Sequence, residues 1–158
     1  MWKIIGIIAA VLIGGFVLIQ VLPIGKDHTN PPVVQEPNWD SPQTRELAMA
    51  ACGDCHSNET TWPAYSKIAP ISWLVNNHVQ EGRSRLNFSE WNRPQDGAEE
   101  AAGITNGGEM PPAYYKIMQK GARLTTAEKD ALVKGMLATF GGNLNSPRGE
   151  GGEGGEGG

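Results

Sequence analysis

The residues of this 158-residue chain with the clearest chemistry are Cys52-Gly53-Asp54-Cys55-His56, a segment that contains both of its cysteines. C-x-x-C-H is the attachment pattern of c-type haem. Within one helical turn, the two thiols face one edge of the porphyrin and add across its two vinyl groups, while the adjacent imidazole points at the iron. The sequence therefore predicts one covalent haem c, bound by Cys52 and Cys55, with His56 as an axial ligand.

Three other uses of the two cysteines fit the sequence less well. A disulfide between them would close a very short loop and contribute little stability. A thioredoxin-like redox pair needs alternating strands and helices around it, and no such pattern is present. A structural zinc site needs four ligands, and only His28 and His78 remain as further imidazole donors.

The second axial ligand of the iron decides what such a haem can do. The candidates are His78 and four methionines, Met49, Met110, Met118 and Met136. Met110 lies in Gly107-Gly108-Glu109-Met110-Pro111-Pro112, where glycines permit close approach to the ring and prolines fix the backbone. Met136 falls on an apolar helical stripe, where methionine usually fills core space. Met110 is thus the predicted distal ligand, with His78 as the alternative and an open distal position as a third possibility.

The N-terminal region predicts where this site lies in the cell. Ile4 to Ile24 is an almost wholly apolar run of 21 residues, and a helix of that length spans roughly 30 Å, the thickness of a hydrocarbon core. No small-residue cleavage site follows it, so residues 1–25 are predicted to be an uncleaved membrane anchor. Lys3 before the span favours a cytoplasmic N-terminus. The remainder then faces the extracytoplasmic, periplasmic side of a bacterial membrane, where c-type haem is attached.

Composition and periodicity divide the rest of the chain into three parts. Residues 26–40 are rich in proline and predict a semi-extended linker that lifts the domain off the membrane. Residues 41–140 predict one small helical domain, with a first helix that begins at Ser41 and Pro42 and a last helix that follows a Thr125-x-x-Glu128 capping box. Residues 141–158 are dominated by glycine and glutamate and predict a disordered tail.

The charge distribution excludes nucleic acid as a partner. The net charge is −4, and residues 41–140 carry ten Lys/Arg against eleven Asp/Glu, so no basic surface is expected. Arg83 and Arg85 are candidates to pair with haem propionates, since guanidinium groups form charge-assisted bonds with carboxylates, and solvated surface charge is the alternative interpretation.

Beyond the haem motif, a longer pattern over roughly residues 41–138 resembles the bacterial haem-binding domain family of small, membrane-anchored, single-haem c-type cytochromes. The resemblance rests on the following segments: Cys52 to Thr60, Trp62-Pro63, Tyr65-Ser66, Ile68-Ala69-Pro70, Ser72-Trp73-Leu74, Glu81-Gly82-Arg83, Leu86 to Trp91, and Met110-Pro111-Pro112 with Tyr114-Tyr115. It implies a cytochrome-c-like all-α fold, with haem linked through Cys52 and Cys55, His56 proximal and Met110 distal. The chain differs from many relatives in lacking a histidine near Gln119.

These features together predict a membrane-anchored cytochrome that carries single electrons, either as a mobile tethered carrier or as a subunit of a larger redox complex. Ligation by histidine and methionine fills both axial positions and raises the potential of the iron. The alternative is a haem-based ligand sensor or a minor peroxidase with a displaceable distal ligand. No arrangement of side chains suggests acid–base catalysis, so we expect no enzyme. The expected partners are the membrane and redox proteins.

Overall fold

The structure is a computed structural model that describes residues 1–144 and is helical over that range. Six α-helices follow one another in this part of the chain: α1 Trp2–Gln20, α2 Pro42–His56, α3 Ile71–Arg85, α4 Ala98–Gly107, α5 Ala113–Met118 and α6 Thr126–Phe140. Between residues 1 and 144 the one β-type pairing is an isolated parallel bridge between Gln35 and Glu90. The predicted all-α fold class is confirmed. Most of the predicted glycine-rich tail, from residue 145 onward, lies outside the described residues.

Helix α1 is the apolar N-terminal segment. It is long and apolar enough to cross a membrane, and none of its residues is buried against protein. The helix ends at Gln20, so the last residues of the apolar run that extends to Ile24 form a turn rather than a further helical turn. The prediction of a single apolar helix at the N-terminus is confirmed.

Helix α2 positions the C-x-x-C-H motif. It begins where the sequence predicts, because the backbone N–H of Thr44 donates to the Ser41 side chain at 3.2 Å and Pro42 occupies the first turn. It continues to His56. The motif therefore forms the last turn of a helix.

Helix α6 also begins as predicted. The backbone N–H of Thr125 donates to the Glu128 carboxylate at 2.7 Å, and the backbone N–H of Glu128 donates to the Thr125 hydroxyl at 3.3 Å. This reciprocal pair is the predicted capping box. Much of the predicted apolar stripe is buried, namely Leu132, Val133 and Met136.

Two glycines allow α3 and α6 to pack closely against α2. A Cβ atom at Gly135 of α6 would overlap the Thr44 side chain of α2. A Cβ atom at Gly82 of α3 would overlap the carbonyl oxygen of Cys55 and lie 3.1 Å from the Cys55 Cβ. Helix α2 is thus held from two sides, and the second of these contacts is at the haem motif itself.

The hydrophobic core lies between α2, α4 and α6, with the segment after α3 closing it. Its centre is the ring of Phe88, which is 1% exposed and stacks on Phe140 with centroids 6.0 Å apart. Trp39, from the segment before α2, meets Phe88 edge-on at 5.2 Å. The other buried members of this core are Ala48, Ala51, Leu86, Ala101, Ala102, Leu132, Val133 and Met136.

Residues 26–40 are extended, as the prolines predict, but they lie against the domain. The backbone N–H groups of Val34 and Gln35 donate to the Ser89 carbonyl at 2.8 and 3.1 Å, and the N–H of Trp91 donates to the Gln35 carbonyl at 2.8 Å. The segment therefore forms an edge of the domain, with Trp39 in its core, and does not lift the domain away as a free spacer.

The end of α1 also contacts the domain directly. The Gln20 side-chain amide donates to the Ala69 carbonyl at 3.0 Å, and its oxygen accepts from the Ala69 N–H at 2.9 Å. Gly25 has a positive φ of 66° and approaches the backbone of Trp73 so closely that a Cβ atom would lie 2.6 Å from its Cα. The domain is consequently seated at the end of the apolar helix.

Candidate functional site

Cys52 and Cys55 lie three positions apart on the last turn of α2, so both side chains share one face of the helix. Both are free thiols and partly buried. Burial raises the pKa of Cys52 to about 12 and that of Cys55 to about 11. Neither is a thiolate at neutral pH, which is unlike the low-pKa thiol of a thiol–disulfide redox enzyme.

His56 is oriented by two backbone acceptors. Its Nδ1 lies 3.1 Å from the Gly82 carbonyl oxygen and 3.0 Å from that of Leu86, both contributed by the end of α3. Because both partners are acceptors, Nδ1 carries the proton and Nε2 keeps its lone pair. Burial lowers the pKa of His56, and this effect outweighs that of the two carbonyls. The ring is therefore neutral and has one nitrogen available to a metal.

The backbone around His56 is equally fixed. The His56 carbonyl accepts from the N–H of Phe88 at 2.7 Å, and the two rings lie 6.2 Å apart. The next residue, Ser57, is fully buried and its hydroxyl donates to the Gly53 carbonyl at 2.7 Å. The Asn58 side-chain oxygen accepts a hydrogen bond from the Asn87 side-chain amide at 2.9 Å. The motif thus sits on the core.

Arg83 joins the haem motif to the segment before α2. Its Nε donates to the Ser57 carbonyl at 2.8 Å, its Nη1 to the Thr29 carbonyl at 3.1 Å, and its Nη2 to Asn30 Oδ1 at 3.0 Å and Thr60 Oγ1 at 2.9 Å. The side chain is 8% exposed. Its Nε, Nη1 and Nη2 atoms all donate within the protein, so the structure gives Arg83 a linking role and not that of a solvated surface charge.

Met110 lies in the loop between α4 and α5. The N–H groups of Glu109 and Met110 both donate to the Ile104 carbonyl, at 3.1 and 3.3 Å, after Gly108 ends α4 with a positive φ of 82°. The Met110 side chain is half-buried. The loop is held by these backbone hydrogen bonds. Helix α5 follows the loop, and its Tyr115 hydroxyl donates to Asp54 in the motif.

The other candidate iron ligands have different surroundings. His78 Nδ1 pairs with the Tyr114 hydroxyl at 3.2 Å, and the two rings stack at 5.5 Å, so this imidazole has a partner other than iron. Met136 is 2% exposed and its sulfur accepts from the Thr105 hydroxyl at 3.8 Å, as expected of a core residue. Met118 is 55% exposed on α5.

The residues present fit a haem group. His56 supplies a neutral, oriented imidazole, and the two thiols share its helical turn, which together form the donor set for covalent attachment and proximal ligation. In residues 1–144 no three His, Cys, Asp or Glu side chains come together as a metal-ion site, so a zinc site has no ligand set there. In the same part of the chain the buried indole N–H of Trp73 has no acceptor.

The sequence matches the model of a haem-binding domain family over residues 14–138. The chain belongs to this family. The match begins inside α1 and includes residues 26–40, which agrees with the contacts that make this segment part of the domain. No curated protein and no solved structure matches the chain.

For this haem-binding protein, the sequence did not show the structural roles of two residues that support the motif. One is Arg83, whose acceptors come from positions 29 to 60 and leave no local pattern in the sequence. The other is Asp54, the second variable residue of C-x-x-C-H, whose carboxylate accepts from the Tyr115 hydroxyl at 2.7 Å. A carboxylate at a variable position of the motif is a weak signal, and only the fold shows its partner.

Proposed function

We propose that this haem-binding protein is a membrane-anchored c-type cytochrome that carries single electrons at the extracytoplasmic face of a bacterial membrane. One haem c is attached through Cys52 and Cys55. His56 is its proximal ligand and Met110 its distal ligand. The residues assigned here bind the cofactor, and none is assigned to catalysis.

The observation that carries the proposal is the state of His56. Its Nδ1 proton is engaged by the carbonyls of Gly82 and Leu86, which leaves Nε2 as a pre-oriented iron ligand beside two free thiols. In thioether formation each sulfur bonds to one vinyl carbon and the thiol hydrogen goes to the other, so no oxidant is required. A helix end that offers both thiols and this imidazole is the arrangement that C-x-x-C-H attachment needs.

Met110 as the distal ligand supports electron transfer over other haem chemistry. A thioether favours reduced iron and raises the potential, and a filled sixth position excludes ligand binding. The loop that carries Met110 is bracketed by a backbone bond to Ile104 on one side and by Pro111 and Pro112 on the other. These features fix the backbone, while the side chain remains partly exposed.

The contacts at the end of α1 favour one form of the proposal. Because Gln20 binds Ala69 and residues 26–40 lie along the domain, the haem domain stays close to the membrane surface. A domain seated in this way suits a subunit of a larger redox complex, or a carrier whose partners reach it at the membrane, better than a carrier that swings on a long tether. Electron-transfer contacts of either kind are small and transient.

A second candidate function is a haem-based ligand sensor. The observation that favours it is that Met110 is half-buried in a loop whose backbone bonds are all local. A methionine held by local contacts can leave the iron and expose it to a small ligand.

The test uses the full chain, purified in detergent after expression with a haem-attachment system. The proposal predicts haem that stays on the denatured polypeptide, a reversible one-electron titration, and a reduced form that is low-spin and binds carbon monoxide slowly. Cys52→Ala and Cys55→Ala should each leave a single thioether, and the double variant none. Haem that is lost on denaturation would contradict covalent attachment, and rapid carbon monoxide binding by the unmutated protein would favour the sensor.

A further inference from the structure

Asp54 lies inside the attachment motif and is bonded to two other parts of the chain. Its Oδ1 accepts from the backbone N–H of Thr61 at 2.8 Å. Its Oδ2 accepts from the Tyr115 hydroxyl at 2.7 Å and from the Gln119 side-chain amide at 3.3 Å. One carboxylate therefore joins the turn that holds haem to the helix that follows Met110.

Of the two hydrogen bonds to Asp54 Oδ2, the one from the Tyr115 hydroxyl is stronger than the one from Gln119. Burial, reinforced by the neighbouring Asp54 carboxylate, raises the pKa of Tyr115, so the phenol keeps its proton and remains a donor. An O–H donor on a carboxylate forms a short, charge-assisted bond, and the length of 2.7 Å fits this class. The 3.3 Å bond from Gln119 is longer and weaker.

Helix α5 is also bonded to Arg123, whose guanidinium donates to the Lys116 and Ile117 carbonyls at 2.6 and 2.8 Å, but Arg123 lies outside the attachment motif. The helix is six residues long and none of its residues is fully buried, while Tyr114, Ile117 and Met118 are more than half exposed. The partner of Tyr114 is His78, which is on α3 and outside the attachment motif. Among the side-chain hydrogen bonds of residues 1–144, the Tyr115 bond is the one that joins α5 to Asp54 in the haem-binding turn, and Gln119, the residue after the helix, adds a second bond to the same carboxylate.

Met110 is coupled to α5 by a stiff connection. Pro111 and Pro112 separate Met110 from the first residue of the helix, and their rings restrict the backbone φ. The N–H of Lys116 donates to the Pro112 carbonyl at 3.1 Å, which continues the helical bonding into the proline segment. A displacement of α5 relative to α2 is therefore passed to Met110.

We propose that the Asp54–Tyr115 bond positions Met110 over the haem, with Tyr115 and Asp54 acting as positioning residues. The bond fixes the separation between the proximal and distal sides of the site. One partner, Asp54, lies between the two attachment cysteines, and the other, Tyr115, follows the distal loop. The inference rests on the proposed function, in particular on Met110 as the distal ligand.

The test compares Tyr115→Phe with Tyr114→Phe in the full, haem-loaded chain. Both variants remove one hydroxyl from adjacent residues of α5, but only the first loses the bond to Asp54. In Tyr115→Phe we expect weakening of the far-red methionine-to-iron charge-transfer band and carbon monoxide binding about tenfold faster, the effect of losing one charge-assisted bond. Tyr114→Phe should match the unmutated protein in both readouts.

A second variant covers the case in which Tyr115→Phe does not fold. Gln119→Ala removes the weaker donor to the same carboxylate and should change both readouts in the same direction by a smaller factor. Tyr115→Phe and Gln119→Ala proteins with an unchanged band and unchanged carbon monoxide binding would overturn the inference. So would equal changes in Tyr114→Phe.

The two proposals fail in distinguishable ways. If the unmutated protein has no methionine-to-iron band, the ligand assignment of the proposed function is wrong. If the unmutated protein has the band, Met110→Ala removes it and Tyr115→Phe leaves it intact, the ligand assignment stands and the positioning role alone is wrong.

Discussion

The attachment turn, residues 52–58, and the Met110 loop, residues 107–112, are held in different ways. In the turn, His56, Asp54 and Ser57 each have protein partners from distant parts of the chain, and Gly82 packs directly on Cys55. In the loop, the backbone bonds only to nearby residues, in α4 and at Lys116 of α5, and the Met110 side chain is half-buried. The proximal side of the site is therefore built into the core, while the distal side is held by local contacts.

This difference corresponds to two separate requirements of the proposed function. Covalent attachment needs two thiols and one imidazole in a fixed arrangement before haem arrives. The distal ligand has to close over the ring afterwards, which a loop can do and a core helix cannot. Substitutions in the two regions should accordingly differ in their effect on stability.

The largest expected effect is that of Gly82→Ala. The new methyl group would overlap the Cys55 carbonyl oxygen and lie 3.0 Å from its carbonyl carbon, and backbone atoms cannot move aside as a flexible side chain can. We expect a loss of about 3 kcal/mol or more in the free energy of unfolding, together with poor haem attachment. Thermal unfolding and haem content of the purified chain measure both.

Gly107→Ala is the matched control in the Met110 loop. Gly107 is the last residue of α4, and a Cβ atom there meets only the Glu109 carboxylate at 3.6 Å, an ordinary contact. Gly107→Ala should change the free energy of unfolding by less than about 1 kcal/mol, since alanine also reduces the entropy of the unfolded chain. Equal destabilisation by the two substitutions would show that the two regions are not held differently.

The next effect in size is that of Arg83→Met. It leaves the buried Ser57 carbonyl and Thr60 hydroxyl without this donor, and removes the bonds to Thr29 and Asn30, at a cost of about 3 kcal/mol in unfolding free energy. Limited proteolysis should then cut residues 26–40, which lose their bonds to Arg83. Arg85→Met removes only an exposed ion pair with Glu81 at 3.9 Å and should cost less than about 0.5 kcal/mol. A protease-resistant segment in Arg83→Met would contradict the linking role of this residue.

The smallest effect concerns Glu90, which supports the turn through Asn58. Hydrogen bonds from Asn58 at 3.0 Å and Arg93 at 2.9 Å lower the pKa of Glu90. A carboxyl group whose pKa is depressed by folding stabilises the fold above its unfolded pKa, and the benefit is lost as the pH falls through the folded value. Glu90→Gln should therefore cost less than about 1 kcal/mol at pH 7 and nothing at strongly acidic pH.

Denaturant titrations at neutral and acidic pH measure this difference. Glu109→Gln, a substitution of an exposed carboxylate in the Met110 loop, is the control and should show little change at either pH. A Glu90→Gln penalty that persists at acidic pH would mean that the charge is not what stabilises the turn.

Local signals in the sequence were sufficient to predict several parts of the fold. The Ser41-Pro42 start of α2 and the capping box of α6 form bonds within three residues, so their patterns can be read directly. The C-x-x-C-H motif likewise lies within one turn. The prolines of residues 26–40 predicted an extended backbone correctly.

The partners of that extended backbone could not be read from the sequence. The bonds of Val34 and Gln35 to Ser89, and of Arg83 to Thr29 and Asn30, join residues more than fifty positions apart. The same holds for the bond between Asp54 and Tyr115. Such contacts depend on how the helices pack, and a single sequence carries no local trace of them.

The most direct test of the account is the far-red charge-transfer band of the oxidised, haem-loaded chain, measured in the unmutated protein, in Met110→Ala and in Met118→Ala. Met118, exposed on α5, is the control for loss of a methionine near the same helix. The account predicts a band in the unmutated protein that is lost in Met110→Ala and retained in Met118→Ala. A high-spin unmutated protein, or a Met110→Ala spectrum that is unchanged while His78→Ala turns the iron high-spin, would contradict it.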